Sequence, residues 1–172
     1  MSLQFSTKAG TLSNLLGKLK SANIAPIYSF SVKQWMSFRQ ECLSQIILHL
    51  GSGPWIVRSS CNLEDGLSAS NAGAFLSVPN VTVGNLTDSI EKVIHSYGRL
   101  DSSDEVLIQP MLTGVIRSGV AFTHDPNTCA PYRTVNWFEG SDTTIVTSGS
   151  GGRVWQQAAL NPIPHESPFA SI

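Results

Sequence analysis

Three observations predict a mixed α+β fold: apolar residues at helical spacing in three separate segments, short β-branched and aromatic runs between turn signals, and a concentration of such runs in the second half. Leu12, Leu15, Leu16 and Leu19 recur at helical spacing, so a first helix is expected to begin at or just after Lys8 and end near Ala22-Asn23. The segment from Val32 to Leu50 reads as a second helix, with Trp35, Phe38, Cys42, Leu43, Ile46 and Leu50 on one apolar face. Gly51-Ser52-Gly53-Pro54 stops it, and Trp55 to Arg58 follows as a strand. A third helix is expected from Leu86 to Tyr97, where Leu86, Ile90, Val93, Ile94 and Tyr97 share a side and Asn85 or Thr87 can cap. Asp101-Ser102-Ser103-Asp104 reads as a turn. Beyond it, Val106–Leu112, Ser118–Thr123, Tyr132–Trp137 and Thr143–Thr147 are the candidate strands.

Composition sets bounds. The 172 residues, 41% of them hydrophobic, suffice for a real core. A net charge of −1 gives no electrostatic case for nucleic acid or for an anionic membrane surface. No apolar stretch is long enough to span a bilayer, and the first residues lack the basic and apolar regions of a secretory leader; the expected location is therefore the cytoplasm. Cys42, Cys61 and Cys129 have no metal-ligand spacing and leave one thiol over in any pairing, which suits a reducing compartment.

The run Trp55-Ile56-Val57-Arg58-Ser59-Ser60-Cys61-Asn62-Leu63-Glu64-Asp65 carries the most chemistry, because an apolar strand delivers an arginine into a polar loop. An arginine presents a planar fork that fits phosphate or carboxylate oxygens two at a time, and the strand behind it sets its direction. Its plainer alternative is a structural pair with Glu64 or Asp65. Lys8, at a helix start, can reach an anion beside unpaired backbone N–H groups. His124-Asp125 invites a general acid–base reading, although neighbours on a strand point to opposite faces and a turn at Asp125-Pro126-Asn127-Thr128 is more economical. Ser148-Gly149-Ser150-Gly151-Gly152-Arg153 lacks the lysine and spacing of a P-loop and reads as a loop.

Taken in order, Thr7-Lys8-Ala9-Gly10-Thr11-Leu12, Arg58-Ser59-Ser60, Ala69 to Val78, Val106-Leu107-Ile108-Gln109-Pro110-Met111-Leu112 and Ser118 to Pro126 form a series. The series resembles the amino-terminal nucleotide-binding domain of the phosphoenolpyruvate synthase and pyruvate phosphate dikinase family. The resemblance covers the chain from Phe5 to about Gly149. It implies an ATP-grasp-like domain, amino-terminal part, with helices packed on a mostly antiparallel sheet, spanning 1–160 and followed by a proline-rich tail or cut end over 161–172. It implies ATP as the ligand, with Lys8 and Arg58 on its phosphates, Gly73 allowing close backbone approach, and Gln109, Met111 and Leu112 along the adenine.

After Gly73 the chain departs from that family: where phosphoenolpyruvate synthases carry two glutamines and an acidic-threonine pair, it runs into Ala74-Phe75-Leu76. Members of the family pass a phosphoryl group from ATP to a histidine on a separate domain and then to a small-molecule acceptor, with Mg2+ held by carboxylates of the second half of the ATP-grasp domain. The resemblance places the carboxylates and the carrier outside these residues, so no catalytic or metal-binding residue is assigned within them. His49 and His95 fall on expected helices, and His124 and His165 in expected loops, none in a phosphocarrier context. Phe5 to Ala9, the shortened Ser70 to Phe75 region and the tract from Tyr132 to Gly149 look most like the divergent branch that includes the glutamine kinase of capsule phosphoramidate synthesis. Two other readings stand beside the phosphotransferase: a catalytically silent ATP-grasp-like binding or regulatory module, and an interaction domain without a ligand.

Overall fold

The computed structural model describes residues 6–20, 22–61, 65–66, 69–70, 76–98 and 101–162. It is a mixed α+β protein that divides into two compact units, Met1–Met111 and Leu112–Ile172. In chain order the first contains α1 (Lys8–Leu15), β1 (Tyr28–Ser31), α2 (Val32–Leu50), β2 (Trp55–Ser60), β3 (Asp65–Gly66), β4 (Ala69–Ser70), β5 (Ser77–Val81), α3 (Leu86–Ser96) and β6 (Glu105–Pro110). The second contains β7 (Arg117–Phe122), β8 (Tyr132–Glu139) and β9 (Arg153–Ala158).

Four strands of the first unit form an antiparallel sheet in the order β1-β6-β2-β5, while β3 and β4 pair as a small ribbon. β1–α2–β2 is thus a β-α-β unit whose two strands run the same way and admit β6 between them. Side chains alternate across a strand, and β1, β6 and β2 keep that alternation in register, while β5 carries an irregularity opposite Trp55 and Val57. Phe30, Trp55, Val57, Val106 and Ile108 face one side, where they pack with Trp35, Cys42 and Ile46 of α2 and with Leu86, Ile90, Val93 and Ile94 of α3. At about 25 cal/mol per Å2 of apolar surface removed from water, this layer is the main source of stability in the unit.

α2 begins and ends for local reasons. The Ser31 hydroxyl accepts the Gln34 N–H while the Gln34 side chain takes the Ser31 N–H, a reciprocal cap that starts α2 directly at the end of β1. Gly51 ends it in the left-handed region (φ 75°), its N–H donating to the Ile47 carbonyl. α2 and α3 are clamped by Glu91, which accepts from Trp35 Nε1 at 3.1 Å and pairs with Arg39. Arg39 also lies over the Trp35 ring, 5.1 Å from its centroid.

Several expectations are corrected. α1 stops at Leu15 instead of reaching Ala22-Asn23: Leu16 and Leu19 are exposed, so the leucine spacing there has no partner surface to follow. Phe38, expected in the core, is 60% exposed and sits at a kink in α2 with non-helical backbone angles. Asn85 precedes α3 but does not cap it; its side-chain oxygen accepts from Thr82 N–H and hydroxyl instead. Thr143–Thr147 is a turn stabilised by Asp142, whose carboxylate takes the Thr144 N–H and hydroxyl, and the strand lies later, at β9.

In the second unit β7, β8 and β9 form an antiparallel sheet in that order. Trp137 on the middle strand lies between Arg117 and Arg153 of the outer strands, whose guanidinium carbons stand 4.8 and 5.2 Å from its ring centroid. Gly119, its partner on β7, has to be glycine, because a Cβ there would stand 2.2 Å from the Asn136 carbonyl oxygen.

Candidate functional site

The face of the four-stranded sheet turned away from α2 and α3 has a different chemistry. Register places Ile56 opposite Gln109, Arg58 opposite Leu107 and Ser60 opposite Glu105, so these six share that face, and Ser77 joins Arg58 from β5. Arg58 and Gln109, which stand 51 positions apart in sequence, meet here: Arg58 Nη1 is 3.5 Å from Gln109 Oε1. Gln109 is buried and its amide points on to the Ala25 carbonyl, also at 3.5 Å. Both contacts are long for hydrogen bonds.

Arg58 therefore keeps most of its donor capacity. A guanidinium has five N–H donors. Among the described residues Arg58 has the one long contact and no ion pair, and its Nε is buried without a hydrogen-bond partner. A buried donor left unmade costs about 1 to 3 kcal/mol. The alternative pairing with Glu64 falls outside the described residues, as does the side chain of Asp65.

α1 docks on the same face. Ala9 N–H donates to the Ser60 hydroxyl at 2.8 Å, and the Thr7 hydroxyl donates to the Glu105 carboxylate. Lys8 is the first residue of α1, so its backbone is held two positions along β2 from Arg58. Gly73 lies outside the described residues. Met111 closes the first unit just past the end of β6, its N–H donating to the Pro54 carbonyl at 2.8 Å. Leu112 opens the second unit and is 65% exposed; the strand expected to run to it ends at Pro110. Of the six residues singled out by sequence, Arg58 and Gln109 are thus in direct contact, and Lys8 is brought alongside through its neighbour Ala9.

Thr7 and Ser60 fall within the motifs read from sequence but have no site role there, and Glu105 is not singled out by them. Ser60 was legible in principle, since it follows Arg58 by two in a strand and must share its face. Glu105 was not, because its place depends on the pairing of β2 with β6.

The remaining polar clusters have structural occupations. Asp125 accepts from the N–H groups of Asn127 and Thr128, the Thr128 hydroxyl and the Gln156 amide. The Thr128 N–H, then its hydroxyl and the Asn127 N–H, hold the Asp125 carboxyl below the usual aspartate value. The turn role of Asp125 accounts for those bonds, while His124 Nδ1 sits 3.2 Å from the Thr123 hydroxyl. A cavity of about 280 Å3 lined by Tyr28, Phe30, Gln34, Phe38, Glu41 and Cys42 lies beside α2 on the helix-covered side of the sheet, the side opposite Arg58. Burial, with Glu41 adding to it, pushes the Cys42 thiol above its ordinary value. Among the described residues no group of three His, Cys, Asp or Glu side chains is arranged to hold a metal ion, and no helix is long and apolar enough to cross a membrane.

No protein-family model and no curated protein matches the sequence.

Proposed function

We propose that the Arg58 face of the first unit binds the phosphates of ATP, and that the chain is the ATP-binding portion of a phosphotransferase like phosphoenolpyruvate synthase and pyruvate phosphate dikinase, with an ATP-grasp-like fold. The observation that carries the reading is Arg58: an arginine on the face of the sheet turned away from α2 and α3, its Nε buried and without a partner among the described residues, with one long contact to Gln109. An anion with several oxygens in one plane meets that fork better than a single carbonyl does. Lys8 adds a point charge from a separate segment, and a triphosphate uses such division because its charge is spread over several centres. In this reading Gln109 limits the swing of the guanidinium, and Met111 follows the strand on which the adenine would lie. Bound Mg2+ would neutralise phosphate charge, its carboxylate ligands coming from outside these residues. The phosphoryl group would pass through a carrier histidine, also outside, to a small-molecule acceptor.

The test is titration calorimetry with Mg-ATP on the chain, on Arg58→Ala and on Lys8→Ala. Each substitution is expected to weaken binding by about 1 to 3 kcal/mol, the range for charge-assisted hydrogen bonds. Binding that survives both substitutions unchanged would remove this face as the phosphate site.

A further inference from the structure

α1 is a poor candidate for a helix held by its own packing. It has eight residues and buries one of its own side chains, Ala9. Isolated helices of that length are unstable in water, so something outside α1 has to hold it. The structure supplies three polar ties at its first turn. Thr7 caps it, its hydroxyl accepting the Gly10 N–H at 3.1 Å, and the same hydroxyl donates to the Glu105 carboxylate. Ala9 N–H, one of the donors a helix start leaves unpaired, goes to the Ser60 hydroxyl in a fully buried bond. Ser60 and Glu105 are themselves opposite each other in the β2–β6 ladder. Tyr97, at the end of α3, locks that rung: its hydroxyl accepts the Ser60 N–H at 3.3 Å and donates to the Glu105 carbonyl.

We propose that Ser60 and Glu105 are positioning residues that hold the start of α1, and with it Lys8, against the Arg58 face, so that Lys8 and Arg58 act on one anion. The proposal rests on the phosphate reading of that face and adds what assembles it. A lysine side chain is long and flexible, and its ammonium is useful at a site only to the extent that its Cα is fixed. Ser60 fixes it from the same strand as Arg58, two residues on, so the spacing of the two cations is set by one piece of backbone. Glu105 does the same from β6, the strand of Gln109. A Ser60 that served stability alone would lower the melting temperature and affect every ligand contact equally; a Ser60 that acts through Lys8 has an effect that vanishes when Lys8 is gone.

The experiment is a double-mutant cycle on the full chain, read by Mg-ATP calorimetry, with Ser60→Ala, Lys8→Ala and the pair, and with Ser60→Thr and Glu105→Gln as variants that retain a hydrogen-bonding group. Hydrogen exchange at the Ala9 amide reports the tie without any ligand. Ser60→Ala is expected to speed Ala9 exchange and to weaken ATP about tenfold, as for one lost hydrogen bond, but less than about twofold in the Lys8→Ala background. Ser60→Thr is expected to retain most of the affinity, and Glu105→Gln, which weakens the second tie by exchanging the carboxylate for an amide, takes the place of Ser60→Ala in the cycle should that variant fail to fold. Additive losses from Ser60→Ala and Lys8→Ala, or an Ala9 amide that stays protected in Ser60→Ala, overturn the positioning role while leaving the phosphate reading intact. Absence of Mg-ATP binding by the unmodified chain removes both, and is distinguished by being seen before any substitution.

Discussion

Along β2, Trp55, Val57 and Ser59 turn toward α2 and α3, while Ile56, Arg58 and Ser60 turn the other way. β6 repeats the division, with Val106 and Ile108 on the helix side and Glu105, Leu107 and Gln109 opposite. The helix side is closed by apolar contact from two long helices. The opposite side is met by a short helix through hydrogen bonds, and keeps an arginine with donors to spare. One backbone therefore supports two surfaces of opposite purpose: the first fixes the strands, and the second uses that rigidity to aim polar groups. In β2 and β6 the helix side carries one polar side chain, the buried Ser59, whereas on the other side polar residues make up the candidate site.

The largest effect that sharpens this contrast is expected from Trp55→Ala, which empties the centre of the helix side. About 3 to 5 kcal/mol of unfolding free energy should be lost in a urea titration. A loss below about 1 kcal/mol would mean that the odd positions of β2 do not carry the core. Arg58→Ala is expected to do the reverse, reducing Mg-ATP affinity by an amount worth about 1 to 3 kcal/mol while leaving the urea midpoint near that of the parent. Equal destabilisation by the two variants would erase the distinction between the faces. Glu91→Ala, at the α2–α3 clamp, should cost about 1 kcal/mol, since Trp35 Nε1 loses its acceptor; Phe38→Ala, three residues along α2 at an exposed kink, should stay within about 0.5 kcal/mol of the parent. A larger loss at Phe38 than at Glu91 would contradict the packing of α2.

The smallest effect concerns the second unit and depends on pH. A carboxyl whose folded value is lowered contributes stability above its unfolded value, and that contribution fades as pH falls through the folded value. Asp125 is such a group. Melting temperatures of the parent and Asp125→Ala should differ most near neutral pH and converge in strong acid, below the ordinary aspartate range. A gap that is constant over that range would show that the turn does not depend on the ionised carboxylate.

Much of the helix side was legible in the sequence and little of the other. α2 spans the expected Val32 to Leu50, and the apolar residues expected of α3 are all buried, because caps, glycine stops and long periodic runs are local signals. The same signals overran at Leu16 and Leu19, where spacing continued but no surface waited, and at Phe38, where a backbone kink rotates the side chain out. Arg58 could be marked as chemically loaded from its run alone. That it meets Gln109 follows from β6 lying beside β2, a pairing between distant segments that no local pattern reports. The same holds for Glu105. Gly119 is a similar case, since only its close approach to β8 explains why no side chain fits.

The place of β6 in the sheet has a consequence for the order of events during synthesis. It sits between β1 and β2, yet it is the last of the four strands to be made. A nascent chain that has produced β1 through α3 can pair β2 with β5, but β1 has no neighbour to bond, and the groove that β6 will fill remains open on both edges. Unpaired strand edges of that kind invite pairing with other chains. The polypeptide thus passes through an interval in which its hydrophobic helices are complete and its sheet is not, an interval that ends when Glu105–Pro110 is inserted.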